Sequence, residues 1–346
     1  MLRYLTAGES HGRAILAILE GLPAGLKVEV ARINQELKRR QLGFGRGKRM
    51  QLENDRAWIL SGLKHNRSLG SPVAILIENK DFRIERMKKV FSARPGHADL
   101  AGFLKYGFRD ITGVLERASA RSTVATVGIG ALCKILLAEF KIKIASRVIL
   151  IGGEWRSQAQ RQKIKSAIKQ KDTLGGIFEV VAKNVPVGLG SYVQPDRRLD
   201  AKFAKEIIAI PGIKAVEFGL GFGYADRFGS QVHDAIYYSG KVGFFRKTNN
   251  AGGIEGGISN GEDIVIRACM KPISTLMHPL DSVNIATKKP CPAGVQRSDI
   301  CVVAAAGVVA ESACAFVLAD TLLEKFGADS LSDIKKAFSD YQKRIR

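Results

Sequence analysis

Residues 94–122, RPGHADLAGFLKYGFRDITGVLERASARS, carry Arg94, His97, Arg109, Arg117 and Arg121 in under thirty positions. A guanidinium is a rigid fork of donors that grips phosphate and carboxylate oxygens, and an imidazole exchanges protons near neutral pH. Anion chemistry is the natural use for such a cluster. Taken singly, each arginine also reads as part of a solvated basic helix face. Pro95 and Gly96 break the preceding structure, so the spacing of Leu100, Phe103 and Leu104 predicts that His97 sits where a loop enters a helix.

Other segments offer groups of the same kind. Ser10 and His11 lie between Gly8 and Gly12, just after a predicted strand at 2–6, where glycine lets backbone approach a ligand. A histidine merely hydrogen-bonded within a turn fits the same pattern. A predicted helix at 31–40 ends in Arg39 and Arg40 and runs into QLGFGRGKRM, a glycine-spaced basic loop holding Arg46 and Arg49. It is no P-loop, because Leu42 and Arg49 stand where that pattern wants glycine and a hydroxyl residue. Lys271, Pro272, Ile273, Ser274 and Thr275 place a cation and two hydroxyls around a proline turn, and the loop 248–261 exposes backbone N–H groups or else forms a hairpin. Asp299, beside Arg297, reads as a local ion pair or as a base held at the foot of an apolar run.

The elements that must position these groups alternate without a repeat or a proline-rich linker. Strands are expected at 58–62, 71–78, 142–151, from 175, at 215–219 and at 264–270, and helices at 124–140, 158–171, 199–208 and 311–325. The apolar parities of 71–78 predict a strand buried on both faces, and 301–309 an apolar run leading into the last of these helices. One α+β domain over residues 1–346 is the simplest assignment.

With 46% apolar residues the chain can bury a large core. Its five cysteines form no CxxC pair, so reduced thiols in a cytoplasm and no metal site are expected. No signal segment and no window of about twenty uncharged apolar residues predicts a membrane span. Against 33 acidic residues stand 54 basic ones, a net charge of +21 that would attract polyanions. Yet no basic run of six, no nucleic-acid motif and only 7% aromatic residues accompany it, and small anions explain the arginines equally well. The glycines at 219, 221 and 223 lack the dinucleotide-binding spacing.

In order along the chain, GESHG (8–12), RRQLGFGRGKRM (39–50), RPGHAD (94–99), KYGFRD, ERASARS (116–122), GGIEGGISNG, KPISTL and QRSDICVVAAAGVVAESACAFVLAD resemble the blocks of the chorismate synthase family. That resemblance implies a single-domain β-α-β sandwich, a homotetramer, and elimination of phosphate from 5-enolpyruvylshikimate 3-phosphate with reduced FMN and no net redox change. It implies proton-handling roles for Ser10, His11, His97 and Asp299, and anion contacts from Arg40, Arg46, Arg49, Arg94 and Arg121, with NADPH contacts also falling on Arg40 and Arg46. Flavin contacts would come from Arg117, Ala118, Ser119, Pro211, Gly212, Gly256, Lys271, Pro272, Ile273, Ser274, Thr275 and Arg297. NADPH is a possible source of the reducing electrons, with reduced flavin expected to arrive from elsewhere. The chain departs from the family pattern at Ser122 (commonly Glu), Pro211-Gly212 (often Asn-Ala) and Ala304 (often Pro), and its segment 155–172 is shorter than in many relatives.

Overall fold

Alternating apolar residues build the first sheet. In a computed structural model that describes residues 2–47, 53–240, 243–295 and 299–345, β1 (Arg3–Ala7), β2 (Ala14–Glu20), β3 (Ala57–Ile59) and β4 (Val73–Glu78) pair antiparallel in the order β1-β2-β4-β3. Ile15, Ala17, Leu19, Val73, Ile75 and Ile77 point inward and are buried, as period-two alternation requires. The other face stays largely uncovered: Leu5, Ile18 and Trp58 are exposed there. The expectation of a strand buried on both faces at 71–78 is thus corrected, because this chain supplies a layer to only one side of β4.

A second antiparallel sheet, ordered β5-β6-β8-β7, comes from β5 (Lys143–Ile151), β6 (Gly176–Lys183), β7 (Ile213–Phe218) and β8 (Ile264–Met270). Between the sheets lie α4 (Thr123–Ala138), packed on the first, and α7 (Val303–Phe326), packed on the second and on α4. One apolar core runs through both sheets and both helices. Around it stand α1 (Val30–Gln41), α2 (Asp99–Tyr106), α3 (Thr112–Arg117), α5 (Ser157–Gln170), α6 (Leu199–Ile208) and α8 (Leu331–Arg344).

The apolar run at 301–309 is already helical from Val303, so the helix expected at 311–325 begins two turns earlier. By length and composition this helix is apolar enough to cross a membrane, but 83% of its most apolar window is buried inside the fold. The two central helices approach so closely at Gly130 that a Cβ there would lie 2.2 Å from Ser312 Cβ. Glu311, on α7, is a charge fully buried in this core. Glu311 accepts from Arg39 Nη1 and Nη2 at 2.7 Å each, from Lys134 Nζ at 2.5 Å, and from Ser146 N and Oγ at 2.8 and 2.6 Å. Burial would raise its carboxyl pKa, but these donors hold it below the usual range. Through Arg39 the same carboxylate fixes the C-terminal turn of α1, and with it the neighbouring Arg40.

Candidate active site

The β1–β2 connection needs glycine: Gly8 has φ +109, and a Cβ there would lie 2.4 Å from Ala14 O. This tight turn projects Ser10 and His11 toward α3. Ser10 N donates to Glu116 O at 3.0 Å, His11 N to Glu116 Oε2 at 2.6 Å, and His11 Nδ1 lies 2.7 Å from Glu116 Oε1. Ser119 Oγ donates to Ser10 Oγ at 3.1 Å, while Asn79 Nδ2 ties the turn through Glu9 O and Gly12 O. The far nitrogen of His11 faces Asp81 Oδ2 and Arg83 Nη2, each at 3.5 Å.

From that turn a polar chain leads inward. Arg121 donates through Nε to Asn79 Oδ1 at 2.7 Å and through Nη1 to Asp55 Oδ1 at 2.6 Å. Arg40 donates to Thr123 Oγ1 at 3.0 Å, to Ala120 O at 3.2 Å and to Asp55 Oδ2 at 3.4 Å. Burial pushes the Arg40 guanidinium down to about 10, opposed by Asp55 and reinforced by the charges of Arg121 and Arg46. Arg46 is likewise lowered by burial, with Asp299 opposing. Arg46 Nη1 lies 3.0 Å from Asp299 Oδ2, and Gly47 N donates to Asp299 Oδ1. Ser10, His11, Arg40, Arg46, Arg121 and Asp299 are therefore brought together.

A second cluster forms around Asp99, which is fully buried. Its carboxylate accepts from Arg94 N at 3.0 Å, Nε at 2.9 Å and Nη2 at 3.1 Å, and its Oδ1 lies 2.5 Å from His97 Nδ1. Burial would raise this carboxyl, but the hydrogen bonds from His97 and Arg94 reverse that and hold it well below the usual carboxylate range. Arg94 Nη1 reaches Thr275 Oγ1 at 2.7 Å. Lys271 Nζ and Ser274 Oγ both donate to Gly96 O, and Lys271 N donates to Gly212 O at 2.9 Å. His97 stands at the entrance to α2, as its sequence position predicts.

A short strip joins the clusters. Thr173 Oγ1 donates to Ile273 O at 2.7 Å, Leu174 N to Ile300 O at 2.9 Å, and Ile300 N to Gly45 O at 2.8 Å. Arg117 is exposed and spends its guanidinium on Gly8 O and on Thr6 O and Oγ1, with Ala118 and Ser119 following at the end of α3. Gly256 lies elsewhere. The hairpin formed by Ile254–Glu255 and Ile258–Ser259 carries it beside the start of β8, whereas residues 271–275 follow that strand's other end. Seven residues of strand separate them by roughly 20 Å. Arg49 and Arg297 lie outside the described residues.

Sequence reasoning missed three carboxylates that organise the site: Glu116, Asp55 and Asp99. Asp99 had a signal, a second acid two places after His97 in RPGHAD. Glu116 and Asp55 had none, since their partners are distant in sequence. Among the described residues no group of three or more histidine, cysteine or acidic side chains is assembled to hold a metal ion.

The chorismate synthase family model matches residues 2–323. The chain belongs to that family. A chorismate synthase of Caldanaerobacter subterraneus is 53% identical over all of this chain and 99% of its own length. One from Thermoanaerobacter pseudethanolicus is 52% identical over 98% of each. A crystal structure of chorismate synthase superposes with a TM-score of 0.82 at 41% identity, covering 99% of this chain and 98% of that one. The chain is accordingly a carbon–oxygen lyase acting on phosphates, converting 5-enolpyruvylshikimate 3-phosphate to chorismate at the end of the shikimate pathway that feeds aromatic amino-acid synthesis. Members of the chorismate synthase family work with reduced flavin.

Proposed function

We propose that the two clusters form one active site, in which the arginines seat the substrate's phosphate and carboxylates and the Lys271 turn seats FMN. The carrying observation is the convergence of Arg40, Arg46 and Arg121, with Glu53, Asp55 and Asp299 interleaved, on the turn that holds Ser10 and His11. Three guanidiniums so placed offset the charge of a polyanionic substrate and stabilise a departing phosphate. His11 holds a proton toward that phosphate. Asp299, with Ser10, acts on the ring proton, and Arg49 and Arg94 add to the anion field.

The residues at 271–275 suit a flavin phosphate and ring: an ammonium, two hydroxyls and the backbone of Gly212 lie side by side. Lys271, whose pKa is lowered by burial and by Lys214, is less hydrated than a surface lysine. Pro272, Ile273 and Pro211 flank this cradle, and Arg117, Ala118, Ser119 and Arg297 complete the flavin contacts. The chemistry that reduced FMN would supply when held there is electron density for the allylic system. His97, oriented by Asp99, protonates or orients the flavin. NADPH would serve as the source of the reducing electrons, with the reduced flavin arriving from elsewhere.

We read the chain as one domain, 1–346, folded as a β-α-β sandwich and assembled as a homotetramer in the cytoplasm, with neither nucleic acid nor membrane as partner. Two observations support the assembly. The outer face of the first sheet exposes Leu5, Ile18 and Trp58, which suits burial against another copy. Gly256, a strand's length from Lys271 in its own chain, fits a flavin held by a neighbouring copy.

The test is anaerobic. Photoreduced FMN and 5-enolpyruvylshikimate 3-phosphate should yield phosphate, and His11→Ala or His97→Ala should lower the rate by about two to four decades. Full activity in both variants, or no phosphate from folded wild-type protein, overturns the assignment. Oligonucleotides should not compete with FMN.

A further inference from the structure

Both imidazoles are tied to a carboxylate through Nδ1, yet the two arrangements differ. His97 shares Asp99 with Arg94, whereas His11 meets Glu116 through its side chain and through its own backbone N–H. Glu116 is 5% exposed and reaches across from α3, 105 residues away in sequence. Its two oxygens and its carbonyl take three hydrogen bonds from Ser10 and His11. A turn anchored at both backbone and ring loses the freedom to rotate or withdraw the imidazole.

We infer that Glu116 is the positioning residue of His11, holding Nδ1–H on one side of the ring and so aiming Nε2, with the proton that it delivers, at the leaving phosphate. This rests on the proposed role of His11. A carboxylate only accepts, so the 2.7 Å contact requires the proton on Nδ1. The remaining nitrogen, Nε2, then faces Asp81 and Arg83, the side on which an incoming anion would find a cation. Without Glu116 the ring can flip or take the other tautomer, presenting either C–H or a misdirected nitrogen. The carboxylate acts through His11.

The experiment compares wild-type protein with Glu116→Ala, Glu116→Gln and His11→Ala, in phosphate release under anaerobic conditions and in nitrogen NMR of protein labelled at histidine with nitrogen-15. Wild-type His11 should give the signature of an Nδ1–H ring. Glu116→Ala should lower kcat about 10–100-fold, the scale on which partners of functional histidines act, with KM changed by less than about threefold. It should also lose that tautomer signature. Glu116→Gln, which keeps one acceptor, should recover part of the rate. A wild-type His11 with no proton on Nδ1 overturns the inference even if Glu116→Ala does not fold. So does Glu116→Ala turnover within about twofold of wild type beside a crippled His11→Ala. An active His11→Ala instead overturns the underlying role of His11.

Discussion

Asp55 sits between Arg40 and Arg121, offering Oδ2 to one guanidinium and Oδ1 to the other, at 3.4 and 2.6 Å. Both arginines are nearly buried, so this carboxylate offsets repulsion between the two cations, and Glu53, 3.7 Å from Arg121 Nη2, adds a second negative charge. Asp55→Asn keeps the shape and removes the charge. Its urea midpoint should fall by the equivalent of about 3–5 kcal/mol, the usual cost of stranding buried charge. A change below about 1 kcal/mol would mean that Thr123, Ala120 O and Asn79 suffice to hold the pair.

Asp99 gives the fold a dependence on acid. Its carboxyl lies well below the usual range in the native state, because the hydrogen bonds of His97 and Arg94 outweigh the effect of burial. As pH falls, the unfolded chain therefore takes up this proton first. The stabilisation is complete above the ordinary aspartate value of about 4 and is lost below it. Between about pH 6 and about pH 3, wild-type protein should lose more unfolding free energy than Asp99→Asn; parallel losses would contradict the assignment.

Gly130→Ala should destabilise the protein by about 1–3 kcal/mol or more, because the added methyl lands on Ser312 and must part α4 from α7. The double change Gly130→Ala with Ser312→Gly should recover part of that loss. Thermal unfolding of the single and double variants measures the coupling.

Asp299→Asn keeps an acceptor for Gly47 N but cannot act as a base. Phosphate release should drop by about two to four decades while substrate KM stays within a few fold. A raised KM with unchanged kcat would make Asp299 only a partner of Arg46.

Much of the fold was legible because burial imposes periodicity. The strand Ile264–Met270 and the helix Leu199–Ile208 fall where the apolar pattern puts them. The start of α7 was misread because an unbroken apolar run of alanine, glycine and valine suits a buried helix as well as a strand. The site's cations could be named from residue type, but Glu116 and Asp55 take their meaning from partners that only folding brings near, whereas Asp99 stands beside His97 and Arg94 in the sequence itself. Periodicity cannot report a hydrogen bond between residues 11 and 116.

The sequence separation between α4 and α7 bears on how the protein is made. Until residues 303–326 leave the ribosome, the nascent α4 and the inner face of β5 and β6 lack the surface that covers them. Growing chains must therefore carry exposed apolar area while residues 139–302 are made, a period in which chaperone capture and premature association compete with folding. Slowing elongation between α4 and α7 would lengthen that exposure, whereas completing α7 closes it in a single docking event.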